Sequence, residues 1–349
     1  VTSGDHQREG ARAEEAASCF IWRDAGRVVL FGDGRLGEAP QLLAENGFGA
    51  FELLTTERAA GGAPALAAAA EAVHTVPSGQ VPDTAAALLG AARGERLVAF
   101  GGGRVIDSAK AVASVSGAAV AAIPTTLSGA EMTGIHRVPA GAEDRVVSLV
   151  RPELVIADPA PMTELPEPRL RASAMNALAH GADSLYTRFA NPVSRSTALE
   201  GADLIATALD QERPARDRGS LALGAILCGY AIDSGMFALH HVICQTLVRV
   251  CGSPHAETNA GILPRAMAFM APRAPDAIGS LAAALRSDRG SIESRIFQLG
   301  GDPPGLGAVG ARREDLDRAL EEILVRPELG FAPAPPGREE LRELIESAW

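Results

Sequence analysis

The sequence predicts a two-part α/β chain, a mostly parallel sheet with helices over residues 21–165 followed by an all-helical domain over 166–349. Three observations predict it. Up to about residue 157, short apolar runs of strand length alternate with helices of ten or so residues, the pattern of βαβ units. Three consecutive glycines (Gly101, Gly102, Gly103) separate an apolar run from an apolar-periodic stretch, as in a strand-to-helix turn. Beyond Pro166 strand signals nearly vanish while helical patterns continue, and the Pro-rich link over 158–168 marks the boundary.

Taken in order, residues 1–20 are polar, lack the apolar core of a signal peptide, and read as a disordered lead. A strand over 26–30 turns through Phe31-Gly32-Asp33-Gly34 into a helix over 36–45. Residues 50–55 form a second strand ending at Thr55-Thr56-Glu57, and an Ala-rich helix over 64–73 leads to His74-Thr75-Val76. Asp83 caps a helix over 84–93. Leu97 to Phe100 are short and apolar enough for a buried strand; the glycine turn and a helix over 105–115 follow. A strand over 119–123 ends in Pro124-Thr125-Thr126, and the last strand covers 149–157. Helices are then expected over 169–188, 194–209, 219–246, 260–269, 276–287, 291–299, 313–324 and 338–346.

A strand running through glycines into a helix directs backbone N–H groups, and the positive end of the helix dipole, at one spot that suits a phosphate. Such a turn can equally serve tight packing alone. Here Asp107 and Lys110 share the first turns of the following helix, and Thr125 and Thr126 bring hydroxyls to the end of a strand. Lys110 is the only lysine among 32 basic residues, which points to a position needing a compact ammonium rather than a guanidinium fork. The alternative is a solvated lysine on a helix face. A Rossmann-like, nucleotide-binding parallel sheet is the reading these features share.

The whole chain sets bounds. Its 349 residues suffice for two domains with a core each. A net charge of −11 argues against nucleic acid and anionic membranes as partners. No apolar run has the roughly 18 residues of a membrane span. Cys19, Cys228, Cys244 and Cys251 show neither CxxC spacing nor a disulfide pattern, and reduced thiols in the cytoplasm are expected.

In the helical half, Asn176 and His180 are four residues apart and share one helix face; His241 is placed near the end of another helix, and His255 at a loop-to-helix junction. Three histidines with an oxygen ligand could hold a divalent ion such as Fe2+ or Zn2+ and leave a position open. They could equally be partly buried histidines making hydrogen bonds. Asp183, one turn beyond His180, is a candidate to orient the His180 imidazole, and Glu131 reads as a capping or structural carboxylate.

In this order the motifs GGGRVIDSAK (101–110), PTTLSGAEMT (124–133), PELVIADP (152–159), MNALAHGADSLY (175–186) and HHVICQTL…GSPHAETNAG (240–261) resemble the iron-containing alcohol dehydrogenase superfamily, with its dehydroquinate synthase-like fold, and most closely its maleylacetate reductase branch. The resemblance runs from about Arg27 to the C-terminus. It implies NADH or NADPH at Gly101, Gly102, Gly103, Thr125 and Thr126, with Asp107 and Lys110 near its ribose and nicotinamide. It implies catalysis in a cleft between the domains, at His180, His241 and His255, with Asn176, His180, His241 and His255 as the positions of a metal. The reductase branch itself has Asn at position 176. At Thr56, NAD-preferring relatives often carry an acidic residue; without it a 2′-phosphate meets no repulsion, and Arg58 or Arg104 could face it. A homodimer acting on a small molecule is the expected assembly.

The chain also departs from that pattern. Gln245 replaces a second helical histidine, which removes a proton relay. Val248-Arg249 replaces a glycine pair, Arg104 a small serine, and Arg265 a histidine. The leading expectation is an NAD(P)H-dependent reductase of a carbonyl or enone on a small acidic substrate, with His180, His241, His255 and Gln245 as the catalytic group. The alternative is a non-redox dehydratase, lyase or cyclase using the same histidines as acid and base. A pseudoenzyme is opposed by the intact histidines and glycine turn.

Overall fold

The structure, a computed structural model, describes residues 19–145 and 148–349. Of the polar lead expected over 1–20, residues 1–18 lie outside the described ones. Two compact units emerge: residues up to Thr126 with Ala130–Glu164, and Leu127–Gly129 with Leu165–Trp349.

The first unit is a seven-stranded sheet. Its elements in chain order are β1 (Phe20–Asp24), β2 (Arg27–Phe31), α1 (Arg35–Glu45), β3 (Glu52–Thr55), α2 (Glu57–Gly62), α3 (Pro64–Ala69), β4 (Ala72–Thr75), α4 (Val81–Leu88), β5 (Arg96–Gly101), α5 (Gly103–Ser116), β6 (Ala119–Pro124), β7 (Leu154–Ala157) and α6 (Pro159–Thr163). The strand order is β1-β2-β7-β6-β5-β3-β4. The pairings from β2 to β4 are parallel, and β1 runs antiparallel to β2. Alternation along the central strands fills two cores. Leu97 and Ala99 of β5 and Val120 and Ala122 of β6 face α5 through Ile106, Ala109 and Val112. Val98, Phe100, Ala121 and Ile123 face the other side, with Leu43, Leu53 and Ile156. Burying each of the larger side chains contributes about 1.5–3 kcal/mol.

Two expectations are corrected here. The sheet begins one strand earlier, because β1 turns back at Ala25-Gly26 and stacks Phe20 on Phe31 with ring centroids 5.0 Å apart. The Ala-rich stretch 64–73 is not one helix: α3 stops at Ala69, and Ala72–Thr75 becomes the edge strand β4. Val73 and Thr75 there favour a strand, and parallel pairing with β3 fixes it.

The second unit is helical: α7 (Glu167–Tyr186), α8 (Pro192–Asp210), α9 (Arg218–Gly235), α10 (Leu239–Val250), α11 (His255–Met270), α12 (Pro275–Ala284), α13 (Ile292–Gly300), α14 (Leu316–Leu324) and α15 (Arg338–Glu346), with short 3-10 turns between some of them. Most of α7 is buried, which makes it the central helix of this unit. The expected helix over 219–246 is two helices bent by 100° at Met236, Phe237 and Ala238, where Met236 takes a φ of 59°. The break leaves His241 near the start of α10 rather than near the end of a helix. Among the described residues no single helix is long and apolar enough to cross a membrane.

Candidate active site

In the first unit the glycine turn lies where β5 passes into α5. Gly102 is the N-cap of α5 and no side chain caps it, so the first N–H groups of the helix remain open to a ligand. A Cβ at Gly102 would come within 3.0 Å of Cγ2 of Thr126, which explains why that residue carries no side chain. The Thr126 hydroxyl is buried beside this turn and has no hydrogen-bond partner among the described residues. An uncapped helix N-terminus next to an unused hydroxyl fits the phosphates of a dinucleotide. Thr125 is tied back to the turn, its N–H donating to Gly101 O at 3.0 Å.

Other expected cofactor residues are engaged within the chain. The Thr56 hydroxyl accepts the N–H of Ala59 at 3.3 Å and caps α2. Lys110 is fully buried, neither solvated nor free for a phosphate: Nζ donates to Ala130 O at 2.9 Å, Thr133 O at 3.1 Å and Thr133 Oγ1 at 3.2 Å, and is 2.8 Å from Asp107 Oδ1. A compact ammonium is what this position holds, and its task is to pin residues 130–133 to α5. Arg27 pins the same turn from β2, donating to Met132 O at 2.7 Å.

In the second unit α7 carries a polar ladder, Ser173, Asn176, His180, Asp183 and Tyr186, at spacings of three and four along a stretch made mostly of buried apolar residues. Residues 127–129 run along it. Leu127 N–H donates to Ser173 Oγ at 3.0 Å and Asn176 Nδ2 donates to Ser128 O at 3.3 Å. Gly129, at φ 69°, lies so close to His180 that a Cβ would be 2.9 Å from Nδ1.

Asp183 orients His241, not His180. Its Oδ2 is 2.8 Å from His241 Nδ1 and accepts the N–H groups of Ala238 and His241, each at 3.1 Å; Oδ1 accepts from the Tyr186 hydroxyl and from His240 N–H. The helix break makes this cradle, since three N–H groups from the start of α10 converge on one carboxylate. Burial alone would raise the Asp183 carboxyl, but the hydrogen bond and charge of His241 hold it well below the usual range. Burial pushes the Tyr186 phenol well up, helped by the Asp183 charge. His180 stacks on His241 with centroids 4.9 Å apart, and burial, then the neighbouring histidines, press it well below 6.5. His240 is pressed to about 3 for the same reasons, and its Nε2–H donates to Asn259 Oδ1 at 2.8 Å.

The Asp183 bond fixes the role of each His241 nitrogen: Nδ1 faces the carboxylate, and Nε2 is the nitrogen left for chemistry. His241 Nε2, His180 Nδ1 and Asn176 Oδ1 are all buried with no hydrogen-bond partner among the described residues. Gln245, one turn after His241, binds Arg326 (Oε1 to Nη1, 3.0 Å), and Arg326 pairs with both carboxylate oxygens of Glu328. His255 begins α11 and its side chain is exposed. Arg249 pairs outward with Glu322, and Arg265 donates to Ser347 O and Gly261 O.

For a divalent ion these donors are a poor fit. Among the described residues no three of His, Cys, Asp or Glu stand together as a ligand set. Asn176 brings no charge, and the carboxylate within reach, Asp183, is already saturated.

The sequence profile described as "Iron-containing alcohol dehydrogenase" matches residues 26–159, and that described as "Fe-containing alcohol dehydrogenase family, C-terminal" matches residues 171–349. The chain belongs to the iron-containing alcohol dehydrogenase family. It is similar to maleylacetate reductase 1 of Rhodococcus opacus, at 33% identity over 96% of this chain and 98% of that protein. The maleylacetate reductase of Rhizobium sp. is 30% identical over 95% of this chain and 97% of its own. The crystal structure of maleylacetate reductase from Agrobacterium tumefaciens superposes with a TM-score of 0.82 at 29% identity, covering 95% of this chain and 97% of that one. As a member of this family the chain is an NAD(P)H-dependent oxidoreductase acting on a small molecule, on the maleylacetate reductase branch, and the non-redox alternative is not favoured.

Proposed function

We propose that the chain reduces maleylacetate or a closely related small acid carrying an enone. The cofactor held at the glycine turn supplies hydride. Gly101, Gly102 and the N-terminus of α5 bind its phosphates, and Thr126 donates the one buried hydroxyl there without a partner. His241 supplies the proton. Asp183 holds Nδ1 and stabilises the imidazolium, so that Nε2–H can be given up toward the substrate and regained from solvent. His180 stays neutral beside it and can donate from Nδ1 to a substrate oxygen, while Asn176 Oδ1 can accept a hydrogen bond at the same place. Gln245, bonded to Arg326, and His255, exposed at the start of α11, belong to the surroundings of this pair in the present reading.

The observation that carries the reading is the Asp183–His241 dyad with an unused, buried Nε2. Its test is a fluorescence titration with NADPH and NADH, followed by the loss of 340 nm absorbance on adding maleylacetate. Micromolar cofactor binding with substrate-dependent oxidation supports it; cofactor binding with no oxidation moves the search to other small keto acids and enones. A homodimer in the cytoplasm belongs to the same proposal, and light scattering on the purified chain tests the dimer.

A further inference from the structure

Glu131 lies in the turn that Lys110 and Arg27 clamp. It is fully buried, and neither carboxylate oxygen has a hydrogen-bond partner among the described residues. The groups facing it are Lys110 and Asp107 of α5 and Arg27 of β2. Lys110 is matched by Asp107 at 2.8 Å, and Arg27 by Asp24 at 3.0 Å. Lys110 also spends its donors on Ala130 O and Thr133. An ionised Glu131 is therefore the one negative charge of this cluster without a counterpart. It lies beside the helix whose N-terminus forms the glycine turn, and Lys110 is roughly 10 Å along that helix from Gly103.

We propose that Glu131 takes up a proton from solvent when the dinucleotide binds, so that its charge state sets cofactor affinity. This rests on the reading of the glycine turn as the cofactor cradle. Two phosphate charges brought to the end of α5 raise the cost of an uncompensated buried carboxylate nearby, through a medium that screens poorly. By reciprocity, a protonated Glu131 strengthens binding as much as binding strengthens its protonation. Burial pushes this carboxyl up to about 7, partly offset by the Lys110 charge, so the exchange falls in the physiological range.

The test uses NADH, whose diphosphate has no group titrating near neutrality. The dissociation constant of the wild-type protein is expected to rise about tenfold between pH 6 and pH 8.5, while Glu131→Gln keeps the low-pH affinity throughout. A second measurement needs no variant. Binding heats at pH 7 in buffers of different ionisation enthalpy are expected to show net proton uptake by the wild-type protein. The same pH profile in both proteins, or no proton uptake, overturns the inference alone. Absence of NADH and NADPH binding at every pH overturns the cradle reading and this inference with it.

Discussion

Nδ1 of His241 lies 2.8 Å from Oδ2 of Asp183, and that carboxylate also accepts three backbone N–H groups and a tyrosine hydroxyl. The acceptor is thus held rigidly, and the imidazole has a single orientation. Replacing Asp183 by Asn puts an amide NH2 against these donors and frees the ring to reverse its tautomer. The expected result is a loss in kcat on the order of 100-fold with cofactor affinity unchanged, measured by steady-state kinetics and NADH titration. Retention of more than a tenth of kcat would count against the dyad.

Removing the imidazole itself separates proton supply from binding. His241→Phe is expected to lower kcat by about 10²- to 10⁴-fold while the NADH dissociation constant stays within about twofold. A parallel loss of cofactor binding would show that His241 holds structure rather than a proton.

Gly129 tests the fit of residues 127–129 on α7. An alanine Cβ there would be 2.9 Å from His180 Nδ1 and 3.2 Å from Gly229 Cα, at a φ of 69°. A cost of about 1–3 kcal/mol is expected in urea unfolding, with reduced activity as His180 is displaced. Gly37→Ala in α1, whose Cβ meets nothing within 4 Å, is the control and is expected to be neutral or slightly stabilising.

Asn176→Asp adds the charge that the neutral donors lack. The variant is expected to bind Zn2+ or Fe2+ at least tenfold more tightly than the wild-type protein, read by metal titration rather than by turnover. Equal affinities would place the preference elsewhere than in residue 176.

Glu131 has a stability signature independent of any ligand. Its carboxyl lies at about 7 in the folded chain against 4.5 when solvated, so the folded state holds the proton more tightly. The stabilisation is complete below pH 4.5 and is lost as pH rises through about 7, for a total of about 3 kcal/mol. Urea midpoints measured from pH 5 to pH 8 should fall in the wild-type protein and run flatter in Glu131→Gln. Asp183, shifted the other way, loses its contribution only below its ordinary 3.8, outside this window.

The parts of the molecule legible in sequence are those where local pattern and tertiary need agree. The glycine turn, the central strands and the helical character of the second half follow from periodicity and from Gly101 to Gly103. The edge strand β4 is hidden because the alanine run over 67–70 leads into Ala72 and Val73 with no proline or glycine to mark the change. The break at Met236 is marked only by Ser234-Gly235 within a run of helix-like residues, yet it is what delivers three N–H groups to Asp183. The ladder on α7 was open to view: Ser173, Asn176, His180, Asp183 and Tyr186 recur at three and four residues, and extending the Asn176–His180 pair in both directions finds it. Which histidine Asp183 serves was not, because it depends on a segment more than fifty residues away.

The burial of Lys110 has a practical side. The only side-chain amine in the chain is enclosed with no accessible surface. Acylating reagents, amine-directed cross-linkers and aldehyde fixatives therefore find no lysine on the folded protein, and resin immobilisation through amines depends on the chain's α-amino group. Labelling of Lys110 by such a reagent becomes a direct clock for opening of the first unit.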